Sequence, residues 1–212
     1  MANTDISAST VAEISNDVGT TLDEINDLTD QFKNEVISRI EKSWYNKNVT
    51  KVMPGAQQAL NGVSSGVNSS LSSLGKALAN AANTWAEANG KPGYNTRSIA
   101  ENPRTIAGNY RESGDNGYEG MDPDEIQIAV NKGEEIKGKL NDAITRLQRA
   151  GEKEGFRGGS MQSNLNSVCS TLKQQINKAI DTVLDDITTN TGTARSNVLA
   201  AKDVTESQFQ IK

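Results

Sequence analysis

The chain has 212 residues, a formal net charge of −5 and a pI near 4.9; such an acidic chain, with no basic cluster, sets nucleic acid aside as a partner. Apolar residues make up 34% and aromatics 4% of it, too little for a thick hydrophobic centre. Burial must therefore come from narrow aliphatic seams, which long helices packed side by side supply and compact sandwiches or barrels do not.

From the N-terminus, apolar residues fall at Val11, Ile14, Val18, Leu22, Ile25, Leu28, Phe32, Val36 and Ile40. Every step is three or four residues, the repeat of one helix face, which predicts a helix from Ser7 to Lys42. Its acids crowd the first part and Lys33, Arg39 and Lys42 the last, the sense that the helix dipole favours. After Trp44-Tyr45-Asn46 a second stripe runs through Val52, Ala56, Leu60, Val63, Val67, Leu71, Leu74, Leu78, Ala82 and Trp85. Its four-four-three stepping keeps the seam straight along a helix. Pro54 suits a first turn and places the start of this helix near it. Gly62, Gly66, Gly75 and the serines between Ser64 and Ser73 are weak helix formers, so packing must hold the segment helical, and their small size admits a close neighbour.

Between Asn89 and Asp122 the helical periodicity disappears, and proline, glycine and tyrosine take over. Residues 91–121 are read as a linker between a hairpin at 1–90 and a second at 122–212. The linker either separates two units or lies on the bundle surface, anchored by Tyr94, Ile99, Ile106, Tyr110 and Tyr118. Asp122-Pro123-Asp124-Glu125 is a helix start, with Asp122 as the cap and proline at the first helical position. The third helix carries Ile126, Val130, Gly133, Ile136, Leu140, Ala143, Ile144 and Leu147, and the run Gly151 to Gly159 ends it. The fourth shows Met161, Leu165, Val168, Leu172, Ile176, Ala179, Val183 and Ile187, continuing more weakly through Ala194, Val198 and Ala201. Short connections make each pair antiparallel. The expected fold is all-α: two long antiparallel helical hairpins packed as an elongated four-helix bundle, one half burying the seam of the other.

Chemistry is sparse. There is no histidine and one cysteine, Cys169, so histidine triads, thiol–imidazole dyads and histidine or thiolate metal sites are excluded. Cys169 lies within an apolar stripe and reads as a small core residue. Asp181, Asp185 and Asp186, like Glu134 and Glu135, have the spacing of solvated helix faces. The glycine-rich run from Gly151 lacks the Gly-Lys-Ser/Thr ending of a phosphate loop. No catalytic residue, cofactor or metal site is predicted, and the chain is read as a non-enzyme. It shows neither a signal-peptide pattern nor an apolar run long enough to span a membrane, so stable membrane insertion is not expected.

The informative feature is an aromatic in each hairpin turn. Trp44-Tyr45-Asn46 and Phe156-Arg157-Gly158 both place a ring two positions before a residue that tolerates left-handed backbone. The rings either plug the ends of the bundle or serve recognition. A hairpin of two long helices joined by a W-x-G turn, acidic and cysteine-poor, resembles the WXG-motif, Esx-type proteins of type VII secretion. Here Asn46 replaces the glycine of one copy and Phe156 the tryptophan of the other. The resemblance covers Ser7 to Asn89 and Asp122 to about Lys202, and it implies a single-chain counterpart of the family's antiparallel dimer. It further implies a protein-binding function with secretion machinery or a co-secreted partner, a monomer with intramolecular hairpin pairing, and export without a cleaved leader. Family members carry a Y-x-x-x-D/E export signal after the second helix. Trp85-Ala-Glu-Ala-Asn89 departs from it, whereas Tyr118-Glu-Gly-Met-Asp122 fits its letters. The competing reading is a structural scaffold of phage or cell-envelope assembly that works by self-association.

Overall fold

The computed structural model describes residues 6–114 and 120–209, with the backbone alone for 193–209. The described chain is all-α apart from one two-residue antiparallel bridge. In order it forms α1 (Ala8–Phe32), a π turn (Lys33–Ile37), α2 (Ser38–Ser43), β1 (Trp44–Tyr45), α3 (Lys47–Ala88), β2 (Gly120–Met121), α4 (Pro123–Ala150) and α5 (Ser160–Phe209).

All nine stripe positions from Val11 to Ile40 are buried. The helix expected to run unbroken to Lys42 is interrupted by the π turn. Each four-residue step from Leu28 through Phe32, Val36 and Ile40 overshoots a full circle by about 40°, since a turn takes about 3.6 residues. One wider turn absorbs the drift, so that Val36, Ile37 and Ile40 all stay inside.

The start of the second long helix corrects the expectation built on Pro54. α3 begins at Lys47 because Asn46 caps it: the Asn46 side chain accepts the N–H groups of Asn48 at 2.8 Å and Val49 at 3.0 Å. Pro54 therefore sits inside the helix, on its exposed face, where the missing N–H costs one helical hydrogen bond. Before Ala56 the buried positions are Val49 and Met53, while Val52 is only half-buried.

The second half follows its predicted pattern. Asp122 caps α4 by accepting from Asp124 N at 3.1 Å and Glu125 N at 3.2 Å. The α4 stripe is buried apart from half-buried Val130; that of α5 is buried from Leu165 to Ile187, with Met161 and Val168 half-buried.

α1 packs against α3 and α4, and α5 packs against the same two helices. Ion pairs record the direction of α1 relative to α4: Glu13 and Asp17 meet Lys153, Glu24 meets Arg146, Glu35 meets Lys132, and Arg39 meets Glu125. Position rises along one helix as it falls along the other, so the two are antiparallel. Such half-exposed pairs contribute about 0–1 kcal/mol each, and the aliphatic seam between them holds the helices together.

Candidate functional site at the hairpin tips and the strapped groove

Each hairpin tip sits at the entry of the other hairpin's first helix. At the first tip, α2 ends where Trp44 turns extended, and β1 pairs with β2 in the register Trp44↔Met121 and Tyr45↔Gly120. Asp122 N donates to Ser43 O at 2.8 Å, tying the tip to the start of α4. Trp44 is fully buried, and its indole Nε1 has no partner among the described residues. Tyr45 is half-buried; its hydroxyl donates to Lys42 O at 2.5 Å, and the Arg111 guanidinium stands 5.3 Å from its ring centroid.

At the second tip Phe156 is buried and Arg157 exposed. Gly155 and Gly158 adopt φ of 85° and 92°. Ser7 N donates to Gly155 O at 2.6 Å, and a Cβ on Gly155 would stand 2.8 Å from Ser7 Cβ, so this turn is fitted against the entry of α1. The left-handed backbone expected at the third position of both turns is present at Gly158 and absent at Asn46, whose φ is −169°. The reason is the cap: an asparagine that accepts the next N–H groups of a helix needs extended backbone.

The other singled-out positions have defined surroundings where they are described. Asp122 is engaged as the α4 cap, and Tyr118 lies outside the described residues. Trp85 packs half-buried against the core. Cys169 is buried, and burial pushes its thiol up to about 11, far from the reactive thiolate. Among the described residues no His/Cys/Asp/Glu group could hold a metal ion, and no helix is long and apolar enough to cross a membrane.

Of the two forms open to the linker, its described part takes the surface-lying one, with Ile99 and Ile106 buried and Tyr94 and Tyr110 packed against the core; the polar clamps that hold it there are what the sequence reading missed. Residues 94–110 form a strap in the groove between α1 and α3, parallel to α1 and antiparallel to α3. Asn83 Oδ1 accepts Tyr94 N at 2.7 Å, Ser72 Oγ donates to Ile99 O at 3.1 Å, and Asn68 Oδ1 accepts Asn102 N at 3.0 Å. Ser64 Oγ accepts Arg104 N at 3.0 Å, and Gln57 Nε2 donates to the Tyr110 hydroxyl at 3.1 Å. Two asparagines grip the strap backbone twice. Asn61 accepts Ile106 N at 2.7 Å and donates to Ile106 O at 2.9 Å; Asn16 accepts Arg97 N at 2.8 Å and donates to Asn95 O at 3.3 Å.

The strap repeats every seven residues. Asn95-Thr-Arg97-Ser-Ile99-Ala-Glu101 is followed by Asn102-Pro-Arg104-Thr-Ile106-Ala-Gly108. Ile99 and Ile106 are buried, Ile99 in the space that a side chain on Gly75 would fill. Arg97 pairs with Asp23 at 2.5 Å and Arg104 with Asp30 at 2.9 Å. Asp23 and Asp30 are themselves seven apart, two turns of α1 and about 10.5 Å, so each strap repeat meets the same partner for its arginine. Gly75 of α3 thus makes room for the strap. A second legible signal was the polar stripe Gln57, Asn61, Ser64, Asn68, Ser72, whose three-and-four spacing marks one face of α3.

In comparisons with known proteins, no family model, no curated protein and no solved structure matches this chain.

Proposed function

We propose that this chain is a non-enzymatic adaptor or substrate of a type VII secretion system, a single-chain counterpart of the Esx-type dimer whose two hairpins pack as an elongated four-helix bundle. The observation that carries the reading is the reciprocal placement of the tips: a buried ring at each hairpin turn, Trp44 in one and Phe156 in the other, set against the entry of the opposite hairpin's first helix. Two like hairpins joined head to tail in antiparallel fashion would bring this about, and the α1–α4 ion pairs follow the same direction. In this reading the chain works by binding. Its tip residues, half-buried Tyr45 and exposed Arg157 foremost, are docking points, and it leaves the cell folded, as a monomer.

The test is export from a Gram-positive host with and without its secretion ATPase, read as the share of the chain in the culture supernatant. Export that depends on the ATPase and falls on Tyr45→Ala or Arg157→Ala, with helical content unchanged, supports the reading. Equal release from both strains overturns it, and open-ended oligomers in sedimentation turn the assignment toward a self-associating scaffold.

A further inference from the structure

We propose that the groove between α1 and α3 is a recognition groove for extended peptide segments carrying Arg-x-Ile units seven residues apart, and that residues 94–110 are its resident, displaceable occupant. The proposal goes beyond the secretion reading and does not rest on it.

The manner of holding is the first argument. Asn16, Asn61, Ser64, Asn68, Ser72 and Asn83 bind the strap through its backbone N–H and C=O groups. Main-chain clamps give a groove affinity for any extended segment, while side-chain pockets confer the selectivity. Here the selective elements come in two matched sets: Asp23 with the space over Gly75 for Arg97 and Ile99, then Asp30 with a second buried position for Arg104 and Ile106. A segment serving only to join two helices needs no second copy of its unit.

The two hairpins supply the second argument. In the first, α1 and α3 meet with Val18 beside Gly75, and the space left over is filled by the strap. In the second, the sizes are reversed: Leu184 of α5 fills the space at Gly133 of α4, its Cδ2 2.6 Å from where a Cβ would stand. Asn141 and Asn177 close that seam at 2.7 Å, where Asn26 and Asn68 close the first. A hairpin of this kind can therefore seal itself, and the strap-filled α1–α3 groove is a departure from the pattern.

The third argument is releasability. Only Ile99 and Ile106 of residues 94–110 are buried, and the rest are half-buried or exposed. The two ion pairs are half-exposed and add little to the hold. Local opening of such a segment leaves the helical seams intact.

The probe is a labelled peptide of residues 94–110 added to the full chain. A tethered strap competes at an effective concentration in the millimolar range, so the unaltered chain binds the probe weakly. The chain with Ile99→Ser and Ile106→Ser, its own strap loosened, is expected to bind at least about tenfold more tightly. A peptide with Arg97→Glu and Arg104→Glu, which sets like charges against Asp23 and Asp30, should bind more weakly than the parent peptide and regain binding on a chain that also carries Asp23→Arg and Asp30→Arg. The proposal is overturned if the loosened chain, still helical, ignores the peptide or takes both peptides equally. Should the loosened chain unfold, hydrogen exchange on the unaltered chain decides. Millimolar peptide must speed exchange at the amides of Arg97, Asn102, Arg104 and Ile106, and unchanged rates there overturn the idea.

Discussion

Asn26 and Asn68 exchange hydrogen bonds across the α1–α3 seam: Asn26 Nδ2 donates to Asn68 Oδ1 at 3.4 Å, and Asn68 Nδ2 donates to Asn26 Oδ1 at 2.9 Å. Both are buried, and Asn68 Oδ1 also accepts Asn102 N of the strap. One carboxamide thus joins three elements. Asn68→Ala strands the buried Asn26 amide, which costs about 1–3 kcal/mol, and releases the N–H of exposed Asn102 to water. Urea denaturation should show a loss of about 1–3 kcal/mol. The double variant Asn26→Leu/Asn68→Leu should lose less than the sum of the two single changes, because it leaves no amide stranded between the helices. Strict additivity would show that the pair is not coupled.

Two glycines of α3 should respond to the same substitution with opposite signs. A Cβ on Gly62 meets nothing within 4 Å, so Gly62→Ala gains the helix propensity of alanine, about 0.5–1 kcal/mol. At Gly75 that gain is opposed by collision with Ile99 Cδ1 and a contact of 3.2 Å with Val18 Cγ1. Overpacking a filled site costs about 1–3 kcal/mol, so Gly75→Ala should be net destabilising, and pairing it with Ile99→Ala should return part of the loss. Thermal melts of the four proteins would check this; a stabilised Gly75→Ala would mean that Ile99 does not occupy that space.

The helices were legible because each carries its own evidence. A seam such as Val11 to Ile40 repeats within one segment, and Asp122-Pro123 marks a helix start locally. The strap was not legible in the same way: its partners lie on other elements, and its seven-residue unit, although as long as two helical turns, carries one isoleucine per repeat, too sparse for a helix face or a strand. Glycine and serine in α3 were read as weak helix formers that admit a close neighbour; that the neighbour is the strap and not another helix depends on contacts between distant segments. At Pro54 a sound preference lost to a stronger one. The Asn46 cap satisfies two donors at once, which outweighs placing the proline in the first turn. Both turn aromatics are buried, but only Gly158 needed the backbone freedom read into the third position.

The two tip rings should not be interchangeable. Trp44→Ala and Phe156→Ala each empty a fully enclosed site and should cost about 3–5 kcal/mol. Trp44→Phe removes an indole N–H that has no partner among the described residues. Relief of that orphan, about 1–3 kcal/mol, offsets most of the lost packing, and the net change should stay within about 1.5 kcal/mol. Phe156→Trp must fit a larger ring into a buried position beside a turn already pressed against Ser7, and it should cost about 1–3 kcal/mol. Chemical denaturation of the four variants gives the comparison. An Phe156→Trp protein as stable as the parent would show that the second turn has room for the tryptophan of the resembled motif.

Tyr110 should make the strap sensitive to alkali. Burial, reinforced by the nearby charge of Glu41, raises its hydroxyl above the ordinary value of 10.0, against a smaller opposing effect of the Gln57 hydrogen bond. A phenol whose pKa is raised on folding favours the state with the strap in place while it remains protonated. Its contribution is complete below pH 10 and declines as pH climbs beyond 10 toward the raised value, because the released or unfolded chain then binds fewer protons. Lys137, held above its ordinary value of 10.5 by Asp181 and Glu134, loses its contribution over the same side of the scale, so the comparison has to isolate the tyrosine. Tyr110→Phe retains the Lys137 cluster and removes the phenol. The urea midpoint of the parent chain should therefore fall more steeply between about pH 10 and 11 than that of Tyr110→Phe. Exchange at the Ile106 amide should rise with it, and parallel curves for the two proteins would separate Tyr110 from the hold on the strap.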